Sequence, residues 1–232
     1  MIKRIDDGYI INIDKPKNWT SFDVVRKVRN YTGIRKVGHA GTLDPFATGV
    51  LIICVNKATK LVYKFMELPK EYKTILRLGE STDTLDPTGT LIKKHSIPQL
   101  NKEKIIRSLE SFRGEIKQQI PEFSASKICG KRAYKLARRG ISIPRRSKIV
   151  HIYEIELLNF TRTSIEFRVV CSKGTYVRML GYDIAKKLGT VGYLTQLRRT
   201  RIGDYSENTA LTIPQFEGLW QTEVGNEDIS KN

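Results

Sequence analysis

This chain of 232 residues has little from which to build a metal centre, a disulfide framework or a membrane span. Its three cysteines, Cys54, Cys129 and Cys171, lie far apart and form no Cys-x-x-Cys pair, which argues against a zinc ribbon or a stapled secreted fold. His39, His95 and His151 show no ligand spacing, so no protein-bound metal is expected. No apolar run approaches bilayer length, and no basic segment with an apolar stretch behind it opens the chain. A soluble, cytoplasmic protein is expected. Acid is missing in a telling way. Lys and Arg number 41 against 24 Asp and Glu, a net +17. No acidic residue occurs from Val24 to Leu43, from Phe123 to Tyr153 or from Ile184 to Gly203. The first stretch holds Arg26, Lys27, Arg29, Arg35 and Lys36; the third holds Lys186, Lys187, Arg198, Arg199 and Arg201. The middle one holds Lys127, Lys131, Arg132, Lys135, Arg138, Arg139, Arg145, Arg146 and Lys148. Such clustering points to a polyanionic partner.

What is present is a glycine-rich loop, Val37 to Gly49, with His39 and Asp44 and no helical or strand periodicity. It runs into Val50–Val55, an apolar stretch that reads as a buried strand. Small residues let a loop approach a substrate closely, and Asp44-Pro45 restrains the backbone further. Taken alone, the same residues could form a structural turn with Asp44 bonded to a nearby amide. Around the loop, Thr20 or Ser21 caps a helix ending at Gly33, with Phe22, Val25, Val28 and Tyr31 as its apolar face. Further helices are expected over Ala58–Phe65, Lys102–Phe112, Lys131–Arg139 and Thr175–Leu188. Strands are expected over Tyr9–Asp14, Glu71–Leu78, Lys148–Phe160, Ser164–Cys171 and Tyr193–Ile202, with a polar loop over Gly79–Gly89. Helices and strands without strict alternation indicate an α+β fold with a mixed sheet.

In this arrangement the chain resembles the TruB-type tRNA pseudouridine synthases. Five collinear blocks carry the likeness. They are Asp14-Lys15-Pro16 with Thr20-Ser21; Gly38 to Pro45 with Thr48-Gly49; and Lys70-Glu71-Tyr72 with Leu78-Gly79, Thr82-Asp83-Thr84, Asp86 and Gly89. Gln119-Ile120-Pro121 with Ser124-Ala125, Lys127, Gly130, Tyr134, Ala137-Arg138 and Gly140 follows, then Cys171 to Arg178 with Leu197-Arg198-Arg199 and Gly203. The resemblance implies a mixed, mainly antiparallel sheet flanked by helices with a central RNA-binding cleft. It implies an enzyme that converts a T-loop uridine of tRNA, position 55, to pseudouridine without a cofactor; a monomer is expected. Residues 1–203 would form the catalytic domain and 204–232 a short tail in place of the family's further PUA domain. Asn18 and Trp19 stand where the family often has glycine.

By the same resemblance Asp44 is the catalytic aspartate, Tyr72 lies against the target base, Arg178 pairs with the aspartate, and His39 fills the space the base vacates. Lys15, Asp86, Lys127, Lys131, Arg132, Arg138 and Arg139 are the further candidates for RNA contact. The chemistry breaks the ribose–nitrogen bond, turns the uracil and rejoins it through carbon. The base must first leave its stack, at about a few kcal/mol. An aromatic such as Tyr72 can return ~1–3 kcal/mol by stacking. Asp44 acts ionised, either attacking the anomeric carbon or taking a ribose proton, and a nearby guanidinium favours that state. Two rival readings share the basic surface: an RNA-binding or tRNA-folding protein without catalysis, and a metal-dependent nuclease using Asp83 and Asp86.

Overall fold

A computed structural model describes residues 1–122 and 146–222, together with the backbone of 127–128, 131–132 and 223–224. The chain divides into two compact units, Met1–Lys70 with Arg198–Asn232 and Glu71–Leu197.

The first unit is built on β4 (Thr48–Asn56), whose residues Gly49 to Val55 are all buried. An apolar run without alternation needs cover on both faces, and β4 has it. Leu51, Ile53 and Val55 pack with Ile11 and Ile13 of β2 (Gly8–Lys15), with Val24, Val25 and Val28 of α1 (Ser21–Thr32), and with Phe216 and Trp220. Val50, Ile52 and Cys54 face the other way, onto Ile10, Ala58, Leu61, Val62, Phe65 and Ile202. β1 (Ile2–Ile5) pairs antiparallel with β2, and β2 with β4. β3 (Val37–His39) also pairs antiparallel with β4, so the start of the glycine loop is strand rather than irregular. β13 (Gly192–Ile202) meets β4 in parallel, Arg198 beside Thr48 and Arg199 beside Gly49. Thr20 caps α1 through a reciprocal bond with Asp23, and Gly33 ends it in the left-handed region. Its buried face is Val24, Val25 and Val28; Phe22, expected inside, is 58% exposed. The expected helix over 58–65 begins as a 3-10 turn, Lys57–Leu61, before α2 (Val62–Glu67). After Gly203 the chain forms β14 (Tyr205–Ser206) and α5 (Ile213–Leu219), which carries Phe216 into the core.

The second unit carries neighbouring strands β5 (Lys70–Leu78), β12 (Ser164–Cys171), β11 (Ser147–Phe160) and β8 (Gly114–Gln119), with the first half of β13 beside β5. β11 pairs antiparallel with both β12 and β8. α3 (Lys102–Glu110) buries Ile105 and Leu109, and α4 (Val177–Lys187) buries Leu180, Ile184 and Ala185. The polar loop expected over 79–89 contains β6 (Glu80–Thr82), which pairs with β7 (Leu91–Lys94). The basic helix expected over 131–139 is not what its first residues form. β9 (Lys127–Ile128) and β10 (Lys131–Arg132) make a two-stranded ladder, and the rest lies outside the described residues. The architecture is α+β, a mixed and mainly antiparallel sheet with helices against it. No helix among the described residues is long and apolar enough to cross a membrane.

Candidate active site

Asp44 lies in the first unit, on a loop that is tied down residue by residue. Ala40 donates its N–H to Ile52 O at 2.9 Å, continuing the pairing of β3 with β4. Gly41, at φ +96°, turns its carbonyl toward the Nη2 of Arg199 at 3.1 Å. The buried hydroxyl of Ser21 accepts the Leu43 N–H at 2.8 Å and donates to the Leu43 carbonyl at 3.3 Å. Pro45 O accepts both the Asn18 N–H at 2.8 Å and the Lys15 ammonium at 3.3 Å. Asp44 O accepts the Ala47 N–H at 3.1 Å, closing a tight turn. Asp44 itself stays half-buried while Leu43, Phe46 and Ala47 go inside. A glycine-rich loop is therefore held in one shape, and an acid is presented from it. Asn18 adopts φ +66°, which asparagine tolerates better than most residues.

Lys15 is fully buried, its Nζ donating to Trp19 O at 2.6 Å and Pro16 O at 2.9 Å as well as to Pro45 O. Burial pushes this ammonium down to about 8, although the Asp44 carboxylate pulls it back up and the Arg199 charge pushes with the burial. The group braces the turn after Asp44. His39 lies on β3 opposite Ile53 and is half-buried.

Tyr72, Arg178 and Asp86 belong to the second unit. Tyr72 alternates on β5 with Thr74, Leu76 and Leu78 as the buried series and is 8% exposed. Arg178 follows the first residue of α4 and is 3% exposed. Its Nη1 donates to Thr84 O and lies 3.6 Å from Asp86 Oδ2. Asp86 is buried too, accepting from Thr84 Oγ1 at 2.7 Å and the Thr88 N–H at 2.9 Å. This acid orders its own loop and one face of Arg178. Asp83 accepts the Thr90 N–H at 2.8 Å, so both acids of the nuclease reading bond donors of their own loop. The start of α4 is set by Gln118, fully buried on β8. Its amide accepts the Tyr176 N–H at 2.8 Å and donates to the Tyr176 carbonyl at 3.1 Å, as a strand neighbour would.

Ser21, Gln118 and the loop-bracing part of Arg199 escape a reading by residue type. Ser21 stands next to the helix cap and looks like a second capping candidate; Gln118 carries no local signal. Of the basic candidates, Lys127, Lys131 and Arg132 are described as backbone only, and Arg138 and Arg139 fall outside the described residues. The third acid-free stretch also changes meaning. Arg198 forks onto Asp14 at 3.0 and 2.9 Å and reaches Glu207 at 2.6 Å, while Arg199 is buried. Neither is a free surface cation.

The family model described as TruB family pseudouridylate synthase (N terminal domain) matches residues 29–177. The model described as tRNA pseudouridylate synthase B C-terminal domain matches residues 178–230. A tRNA pseudouridine synthase B of Clostridium tetani is 46% identical over 204 residues, covering 88% of this chain and 71% of that one. One from Phocaeicola vulgatus is 44% identical over 225 residues, covering 94% of this chain and 96% of its own. Among solved structures, the crystal structure of a Cbf5-Nop10-Gar1 complex superposes with a TM-score of 0.72 at 31% identity. That match covers 93% of this chain and 56% of the other, so this chain spans little more than half of its length. The order of motifs, the braced aspartate loop and these similarities agree: the chain belongs to the TruB family of pseudouridylate synthases.

Proposed function

We propose that this protein is a tRNA pseudouridine synthase that isomerises the T-loop uridine at position 55 without a cofactor, working as a cytoplasmic monomer. The observation that carries the reading is Asp44, a half-buried acid on a loop whose flanking peptides are bonded to Arg199, Ser21 and Lys15. A carboxylate held this way is preorganised for a reaction at a sugar carbon and needs no loop ordering during the step. Asp44 is the catalytic carboxylate, and Arg178 is its guanidinium partner. Tyr72 stacks on the everted uracil and His39 takes the place it leaves. The glycosidic C1′–N1 bond breaks, the ring turns, C5 bonds to C1′, and the C5 proton leaves while N1 gains one.

The test is incubation with an unmodified tRNA transcript, followed by mapping of pseudouridine. Wild-type protein should modify one T-loop position, and Asp44→Asn should abolish product while tRNA still binds. A wild-type protein that binds tRNA and makes no product would leave the folding-factor reading in its place. Lys and Arg outnumber acids by 41 to 24, so affinity should also fall steeply with salt.

A further inference from the structure

Arg199 is a buried cation that charge pairing does not explain. Its side chain is 1% exposed, and its hydrogen bonds run to main-chain carbonyls: Nε to Val50 O at 2.7 Å and Nη2 to Gly41 O at 3.1 Å. Among the described residues no carboxylate lies within ion-pairing distance of it. Burying a guanidinium without a counter-ion is expensive, and an apolar side chain of similar volume would fill the space more cheaply. A cation kept there calls for a reason beyond packing.

We propose that Arg199 is a positioning residue for the isomerisation, its guanidinium setting the Gly41 peptide and through it the way the loop presents Asp44. The inference rests on the reading of Asp44 as the catalytic carboxylate. Three features support it. The planar fork bonds two carbonyls on the two arms of the loop, Gly41 before Asp44 and Val50 after it, which one ammonium cannot copy with the same geometry. The main chain of Arg199 is in close register with the second arm, where a Cβ at Gly49 would fall 2.2 Å from Arg199 O. The other flank of Asp44 is held by a second buried cation, Lys15 at Pro45 O, so the two charges bracket the acid.

The experiment measures single-turnover pseudouridine formation and tRNA affinity for wild type, Arg199→Met, Arg199→Lys and Val28→Ala. Val28 is a fully buried core residue of α1 and serves as a stability control. Each protein is assayed well below its own melting temperature. With saturating tRNA, Arg199→Met should lose rate on the order of 100-fold, the scale of a small misplacement of a reacting group. Its tRNA Kd should stay within roughly threefold, and Arg199→Lys should recover only part of the rate. Val28→Ala should keep the wild-type rate despite a lower Tm. A near-normal rate in Arg199→Met would overturn the proposal. So would a loss that appears in Kd instead of rate, or a rate that follows Tm in Val28→Ala as well. If Arg199→Met does not fold, Arg199→Lys is read by the same criteria. A wild-type protein that forms no pseudouridine would instead overturn the functional reading, and this inference with it.

Discussion

Replacing Lys15 with methionine should remove one component of the alkaline stability profile, and the structure gives its sign and size. In the folded chain burial pushes the Lys15 ammonium down to about 8, from 10.5. Between those values the unfolded chain binds more protons than the native one, so stability rises with pH across that window. A gap of about 2.5 units corresponds to about 3 kcal/mol, absent below the window and fully present above it. Methionine keeps the volume and removes the proton. At neutral pH the variant should already be less stable, because Pro16 O, Trp19 O and Pro45 O lose their donor. Each buried acceptor left unpaired costs about 1–3 kcal/mol, partly offset by relief from burying the charge. The decisive quantity is how the difference between the two proteins changes with pH. Tm measured from neutral pH to above the unfolded lysine value should show the gap widening by roughly 6–12 °C. Lys148, lowered by burial, and Tyr205, raised by burial, titrate in both proteins and cancel. A gap that stays constant with pH would refute the buried-ammonium argument.

Other consequences are simpler. Ser21→Ala leaves the Leu43 N–H and C=O without their shared partner and should cost about 1–3 kcal/mol in urea unfolding. Gly49→Ala drives a Cβ to 2.2 Å from Arg199 O at φ +101°, so a loss of about 3 kcal/mol should appear as a lowered Tm. Phe216→Ala empties a fully buried site between β2 and α1 and should cost about 3–5 kcal/mol by calorimetry. A neutral result there would show that the segment after Gly203 is not part of the core.

Much of this protein was legible where the controlling information is local. The cap at Thr20, one of the two residues expected there, the Gly33 stop and the apolar run of β4 each lie within a few neighbouring residues. The exposed side of α1 was harder. Phe22 is apolar yet faces outward, because Val24, Val25 and Val28 already fill the side that packs on Leu51 and Ile53. The small residues of the Asp44 loop were legible, whereas the bonds that hold it come from donors distant in the chain, such as Arg199, 158 positions from Gly41. Charge clustering along the chain likewise leaves open which cations pair in space. An acid-free stretch in sequence is not acid-free in space: Arg198 finds Asp14 across 184 positions, and Lys27 pairs with Glu217.

Family, fold class and the identity of the candidate acid follow from residue order alone, because motif spacing and short-range periodicity are written along the chain. Which cations face solvent and which are buried as struts was decided only on folding. Burial and charge compensation depend on partners that tertiary contacts bring together, and neither Lys15 nor Arg199 announces in its own neighbourhood that it will lose its water.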